Sequence, residues 1–407
     1  MKRKNLTTGL EKIRQLSAII FKALKEVINM EKVIMVGCDA HSENLLLMCA
    51  LGREAAEKAE FSNTKPGRKA LIANLKSRAA REGATRIVMA YEASSLGFGL
   101  YDELKDAGIE CHVLAPTKME SSPQQRRTKT DERDAKKILE IVRGHVLAGN
   151  ELPSVWIPDP ETRDDREVVR ARLDVADKLS AVKIQIQSLL KRNSFRRPEE
   201  LKSSWTQKHG AWLEGLTRDD GPLGFGTKEA LKTLLRQRAA LEEEVEQLDA
   251  ALGALAETVR YAEPVRALLK EYGVGLMTAL VFLAELGDLS RFSNRREIGA
   301  YLGVVPSSYE SGENSDKKGH ITRQGPGRIR KVLCQSAWAI IRGGDVHERS
   351  AYARVAKRNP KHKKIGVVAL MRRLGIRMWH VGLAAQKNSG CFKTADLDCT
   401  ITAKVAA

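Results

Sequence analysis

The sequence predicts an α/β domain with a mixed sheet, then a long coiled coil and a mostly helical C-terminal part. Three patterns predict this. Short aliphatic runs bounded by Gly, Pro or polar links alternate with helical segments over the first 150 residues. Heptad-spaced apolar positions follow, and the C-terminal third opens with an apolar helix and closes with basic ones.

Residues 1 to 30 read as a helical extension, because Leu10, Ile13, Leu16, Ile20, Leu24 and Val27 keep a helical period. Residues 33 to 40 (VIMVGCDA) and 45 to 52 (LLLMCALG), joined by His41-Ser42-Glu43-Asn44, read as a β-hairpin. A third strand around 54 to 62 precedes Pro66-Gly67 and a helix marked by Leu71, Ile72, Leu75 and Ala79. Strand 85 to 91, helix 98 to 107, strand 109 to 115 and helix 131 to 147 complete a domain spanning 31 to 150. Strands that are first antiparallel and then alternate with helices make a mixed sheet.

Residues 151 to 262 form the coiled-coil region. Leu241, Val245, Leu248, Leu252, Leu255 and Val259 step as a coiled-coil seam, and Val169, Leu173, Ala176, Leu179, Val182, Ile186 and Leu189 nearly repeat it. Two such helices pair with each other or with another subunit. Residues 263 to 386 form the third region and 387 to 407 a loosely held tail.

Composition narrows the function classes. Hydrophobic residues make up 43% of the 407, enough for real cores, which excludes disorder over most of the chain. The longest apolar run, Leu276 to Ala284, has nine residues against the ~20 a membrane helix needs. The N-terminal stretch carries charges where a secretory signal has an apolar core. Six scattered cysteines without zinc-ligand spacing suit a reducing cytosol. Lys and Arg exceed Asp and Glu by 69 to 51, a formal +18, so a polyanion is the expected partner. Nucleic acid leads; an anionic membrane surface is the weaker alternative.

Against that charge, four acids stand out. Asp39 ends the first strand, Glu92 follows the fourth, and Asp131 and Asp134 share one face of a helix start. Strand C-termini form the ligand-facing edge of an open α/β sheet, so these carboxylates can converge there. Four converging acids repel unless a hard cation sits among them, Mg²⁺ or alternatively Mn²⁺. Each acid taken singly reads as a loop-edge or helix-dipole carboxylate, and it is the four together that point to a metal site.

Gly273-Val274-Gly275 between helical segments matches a helix-hairpin-helix, which meets a phosphate through backbone N–H groups; an ordinary αα-corner is the alternative. Residues 317 to 364 hold 14 Lys and Arg against Asp345 and Glu348, and Lys317, Lys318, Arg323, Arg328, Arg330 and Lys331 begin a candidate phosphate track. Serines 307, 308, 311 and 315 precede it, and spacing selects none of them as a nucleophile. His41, His112, His320 and His362 show no ligand spacing and read as satisfied surface or edge side chains.

GCDAH, AYEASSLGFGLYDELKDAGIECHVLAP, KTDERDAKK, GVGLMTA, FSNRREIGAYLGVVPSSYESG and GHITRQGPGRIRKVL, in that order, resemble the insertion-sequence transposases with a RuvC-like DEDD N-terminal domain and a serine-bearing C-terminal domain, the bridge-RNA-guided recombinases. The resemblance covers about residues 31 to 386. It implies an RNase H-like fold for 31 to 150, a coiled-coil insertion, and a C-terminal transposase domain. It assigns Asp39, Glu92, Asp131 and Asp134 to Mg²⁺ and Ser311 to attack on a DNA phosphate, giving a covalent phosphoserine. It also implies a structured noncoding guide RNA pairing with element ends and target DNA, dimers assembling to a tetramer, and a cytoplasmic, nucleoid-associated location. Two rivals keep the same residues: a RuvC-like nuclease without covalent intermediate, and a non-enzymatic nucleic-acid scaffold.

Overall fold

A computed structural model describes residues 32–119, 130–308 and 318–389. The expected helix over 1 to 30 lies outside the described residues. The chain divides into two compact units, 1–157 and 158–407.

The first unit is built on five strands: β1 (Val33–Ala40), β2 (Asn44–Leu51), β3 (Glu57–Ser62), β4 (Arg86–Glu92) and β5 (Glu110–Leu114). They lie in the order β3-β2-β1-β4-β5. The first three are antiparallel, and β1, β4 and β5 run parallel, which gives the mixed sheet that the sequence predicts. The His41 amide donates to the Asn44 carbonyl at 2.9 Å and closes the hairpin. The parallel strands need crossovers, supplied by α1 (Lys65–Glu82) and α2 (Gly99–Asp106). Thr64 caps α1 at its start and left-handed Gly83 ends it.

Alternation along the strands sorts two cores. Ile34, Val36, Cys38, Met89 and Tyr91 pack with Leu71, Leu75, Leu100 and Leu104 of α1 and α2. Val33, Met35, Val88 and Ala90 pack with Ala135, Ile138, Leu139 and Val142 of α3 (Asp131–Ala148). With both faces covered, β1 and β4 read as continuous apolar runs.

In the second unit α4 (Pro160–Arg192) and α6 (Phe225–Ala256) run antiparallel, with α5 (Gln207–Gly215) between them in sequence. Cross-helix pairs fix the direction: Arg172 with Asp249, Lys183 with Glu242, and Thr227 with Asn193. One end of the pair shares a core with Leu213, Leu216 and Leu223, while Val169, Leu173, Leu252 and Ala256 join the C-terminal core. Between these ends Ala176, Leu179, Val245 and Leu248 are only half-buried. Since α6 stops at Ala256, Val259 stands beyond the helix and is 77% exposed, a correction to its place in the seam.

The C-terminal core contains α7 (Ala262–Leu268), α8 (Leu276–Leu286), α9 (Arg295–Tyr301), α10 (Gly327–Gly343), α11 (Val346–Arg358) and α12 (Lys364–Ser389). Helix α8 is buried from Thr278 to Leu286, in keeping with a sequence apolar all round but for Thr278 and Glu285. Strands β6 (Pro306–Ser308) and β7 (Lys318–Ile321) pair antiparallel. Among the described residues no helix is long and apolar enough to cross a membrane.

Candidate active site

The site begins with Gly37. A Cβ there would lie 2.2 Å from the Ala135 carbonyl oxygen and the Leu139 amide nitrogen, so α3 rests directly on the β1 backbone. That contact carries the first turn of α3 to the end of β1, two residues on, where Asp39 sits on the same sheet face as Gly37.

His41 joins the two elements. Its Nε2 lies 3.2 Å from Asp39 Oδ2 and 3.5 Å from Asp131 Oδ1. Asp39, His41 and Asp131 each present a donor atom within 4.8 Å of the others. The Asp39 side chain is only 13% exposed, while Asp131 is 59% exposed. Burial raises the Asp39 carboxyl above its usual range; His41 pulls it back, and the charges of Asp131 and Asp134 push it up again. Asp134, one turn along the helix, therefore acts on Asp39 through its field.

Glu92 ends β4, whose register pairs Cys38 with Tyr91, so the next step sets Glu92 beside Asp39 on the α3 face. It shares that face but stands outside the close group of Asp39, His41 and Asp131. Glu132, the remaining acid of the turn, is held by Lys58 at 3.2 Å. Thr130 occupies the N-cap position without a side-chain cap bond; its carbonyl accepts from the Arg133 and Asp134 amides.

The donor set fits a hard divalent cation. Two carboxylate oxygens from separate elements approach one point, with two further acids at hand, and their mutual repulsion is what a cation relieves. His41 is the residue that sequence reasoning set aside. The signal available was its spacing of two from Asp39 at a strand end, which places both side chains on one face.

In the second unit the candidates are distributed differently. Ser311 and Lys317 lie outside the described residues, in the segment joining β6 to β7; Lys318 opens β7. The root of that hairpin is tightly built. A Cβ on Gly303 would lie 2.1 Å from the Gln324 carbonyl, and one on Gly325 1.9 Å from that of Tyr301, both at positive φ. Arg323 also adopts positive φ, at 54°. Arg330 donates from one nitrogen to the carbonyls of Leu302, Gln324 and Gly325 at 3.1 to 3.3 Å, tying this root together. Arg328 pairs with Asp174 at 3.3 Å and Lys331 with Asp177, both acids on α4. Gly273, at φ 81°, lies beneath α10, where a Cβ would meet the Ser336 carbonyl at 3.0 Å. Gly275 is the exposed N-cap of α8, with open space where a Cβ would stand.

Two family models match the chain. One, described as Transposase, of the DEDD type of the IS110 group, spans residues 36–194; the other, Transposase IS116/IS110/IS902 family, spans 265–353. The putative transposase y4qE of Sinorhizobium fredii is 32% identical over 269 residues, 65% of this chain and 62% of that protein. The chain thus spans less than two thirds of this relative. The putative transposase y4rJ of the same organism is 29% identical over 81% of this chain and 85% of its own length. The transposase for insertion sequence element IS1533 of Leptospira borgpetersenii is 25% identical over 76% and 86%.

Proposed function

We propose that this chain is a transposase of the IS110 family, with a DEDD domain ahead of an IS116/IS110/IS902-type domain, and that it cuts and rejoins DNA at the ends of an insertion sequence. The observation that carries this reading is the meeting of Asp39 and Asp131 at the end of β1, enforced by the packing of α3 on Gly37. In a chain of net charge +18, a cluster that brings the largely covered Asp39 to the exposed Asp131 is in keeping with cation-assisted phosphate chemistry.

Asp39 and Asp131 would hold Mg²⁺, or Mn²⁺ in its place, with Asp134 and Glu92 completing the set. When bound, such an ion polarises a phosphoryl oxygen and favours the deprotonated form of an attacking hydroxyl. Within the chain, His41 orients Asp39 and Asp131 through its ring nitrogen, and Lys58 draws Glu132 aside.

The family resemblance supports Ser311 as the nucleophile. Its Oγ loses its proton and bonds to phosphorus while the ester oxygen of the cut strand leaves and takes up a proton. Attack by a hydroxyl of another DNA end on the phosphoserine then releases Ser311 and joins the strands. Lys317, Lys318, Arg323, Arg328 and Lys331 supply donors to phosphate around that loop. On the same resemblance, a structured noncoding RNA from the element selects the DNA sites, and dimers assemble to a tetramer with serine and carboxylates drawn from different subunits.

Trapping tests this reading. A labelled element-end oligonucleotide incubated with protein, guide RNA and Mg²⁺ should remain attached after denaturation, and should not with Ser311→Ala, Asp39→Asn or Asp131→Asn. Free cut ends without an adduct, unchanged in Ser311→Ala, would favour the nuclease. Neither adduct nor cut ends from the wild-type protein would leave a scaffold, and strand exchange unaffected by Asp39→Asn would remove the carboxylate cluster from the reaction.

A further inference from the structure

The other end of α3 carries a second cluster. Strand alternation sets Glu110 and His112 of β5 on the α3 face, and His145 in the last turn of α3 meets them there. One donor atom from each lies within 4.8 Å of the others. His112 Nε2 is 2.9 Å from Glu110 Oε1, and the two imidazole rings meet edge to face with centroids 5.7 Å apart.

The surroundings hold each donor in place. Arg86 binds the far oxygen of Glu110, with its Nε 2.7 Å from Oε2, leaving Oε1 to His112. His145 Nδ1 donates to the Asn150 carbonyl at 2.7 Å, which keeps the ring in the tautomer whose Nε2 carries the lone pair. That acceptor is itself positioned by the helix end: Gly149 is left-handed at φ 71°, and the Asn150 amide returns to the Gly144 carbonyl at 3.2 Å. The chain then runs back along β5, where the Val155 amide bonds to the Val113 carbonyl.

We propose that Glu110, His112 and His145 form a binding site for a borderline divalent cation, zinc in the first instance, distinct from the carboxylate cluster at the opposite end of α3. Two imidazoles and one carboxylate are a zinc-type donor set, with room for solvent in the fourth position; Mg²⁺ prefers oxygen donors alone. The ion takes the place of the proton between His112 Nε2 and Glu110 Oε1, and that proton moves to His112 Nδ1 or to solvent. Bound there, zinc staples the C-terminal end of α3 to edge strand β5. It thereby steadies the helix whose first turn holds Asp131 and Asp134. The site stands on these residues alone and is independent of the functional reading above.

The test uses the full chain with Co²⁺ as a visible probe and Zn²⁺ as competitor. The expected result is one equivalent of Co²⁺ giving the absorption of a four- or five-coordinate ion, removed by Zn²⁺ and untouched by excess Mg²⁺. His112→Ala and His145→Ala should each weaken zinc at least tenfold and abolish the zinc-dependent rise in Tm, while Asp39→Asn keeps both. Circular dichroism without zinc checks that each variant is folded, and His145→Gln replaces any that is not. Wild-type protein that takes up no zinc, or zinc affinity lost with Asp39→Asn and retained with both histidine variants, would overturn the proposal.

Discussion

The acidic cluster of the α/β unit and the basic surface of the helical unit are held by different physics. Asp39 and Asp131 meet because backbone rests on backbone at Gly37, leaving no side chain between that could yield. Arg328 and Lys331 instead hold Asp174 and Asp177 through long exposed side chains, pairs worth little in water. A site built by close packing stays assembled without its ligand. One built from surface ion pairs exchanges carboxylates for phosphates at small cost, which suits a face that must bind and release a polyanion.

The strongest perturbation asks whether the contrast follows domain or burial. Glu285 lies in the helical unit, yet it is buried and takes two hydrogen bonds from Arg170, at 2.9 and 3.0 Å. Glu285→Leu should cost about 3 kcal/mol by removing the two hydrogen bonds that its buried carboxylate takes from Arg170, read as a fall in urea midpoint. A change below about 1 kcal/mol would mean that ion pairs in this unit are weak even when buried.

Next comes Gly37→Ala, which should destabilise the chain by about 1 to 3 kcal/mol and weaken Mg²⁺ binding, because α3 must lift off β1. Isothermal titration with Mg²⁺, paired with thermal melts, separates the two effects. Intact Mg²⁺ binding in a stable Gly37→Ala protein would break the comparison.

Asp159 offers a pH-dependent case at the start of α4. Burial pushes its carboxyl up, but bonds from Thr162 and Arg260 outweigh it and hold the group below the usual 3.8. Because the folded-state value is depressed, its stabilisation is full above 3.8 and is lost as pH falls through the lower folded value. Asp159→Ala should cost about 1 kcal/mol near neutrality. Its melting difference from wild type should shrink below pH 3.8.

The smallest stability effect belongs to the basic face. Arg328→Ala and Lys331→Ala should each change stability by less than about 1 kcal/mol. Each should nonetheless lower the salt slope of DNA binding by about 1. Large destabilisation with an unchanged slope would show that these ion pairs are structural after all.

Much of the α/β unit was legible from sequence. A hairpin linked by His41 to Asn44, strands bounded by Gly and Pro, and a helix opening with three acids are local patterns with local causes. The same patterns placed Asp39 and Glu92 at strand ends and Asp131 and Asp134 on one helical face. What they missed were His41 and the pairing of His112 with Glu110 and His145, since the last of these joins residues on two elements whose contact no local spacing records. The long helix of the second span was legible until Ala256, where α6 ends although the apolar period continues to Val259. Ser311 rested on resemblance, because a serine in a polar loop looks like any turn residue.

The sequence by itself determined the order of strands and helices in the first 150 residues, the excess of positive charge and the two spans of heptad periodicity, because propensity, alternation and charge are properties of neighbours along a chain. Tertiary structure decided that α3 lies on Gly37, and so which acids and histidines meet at its two ends. Those distances depend on how closely two backbones can approach, and that approach is settled only when distant segments pack.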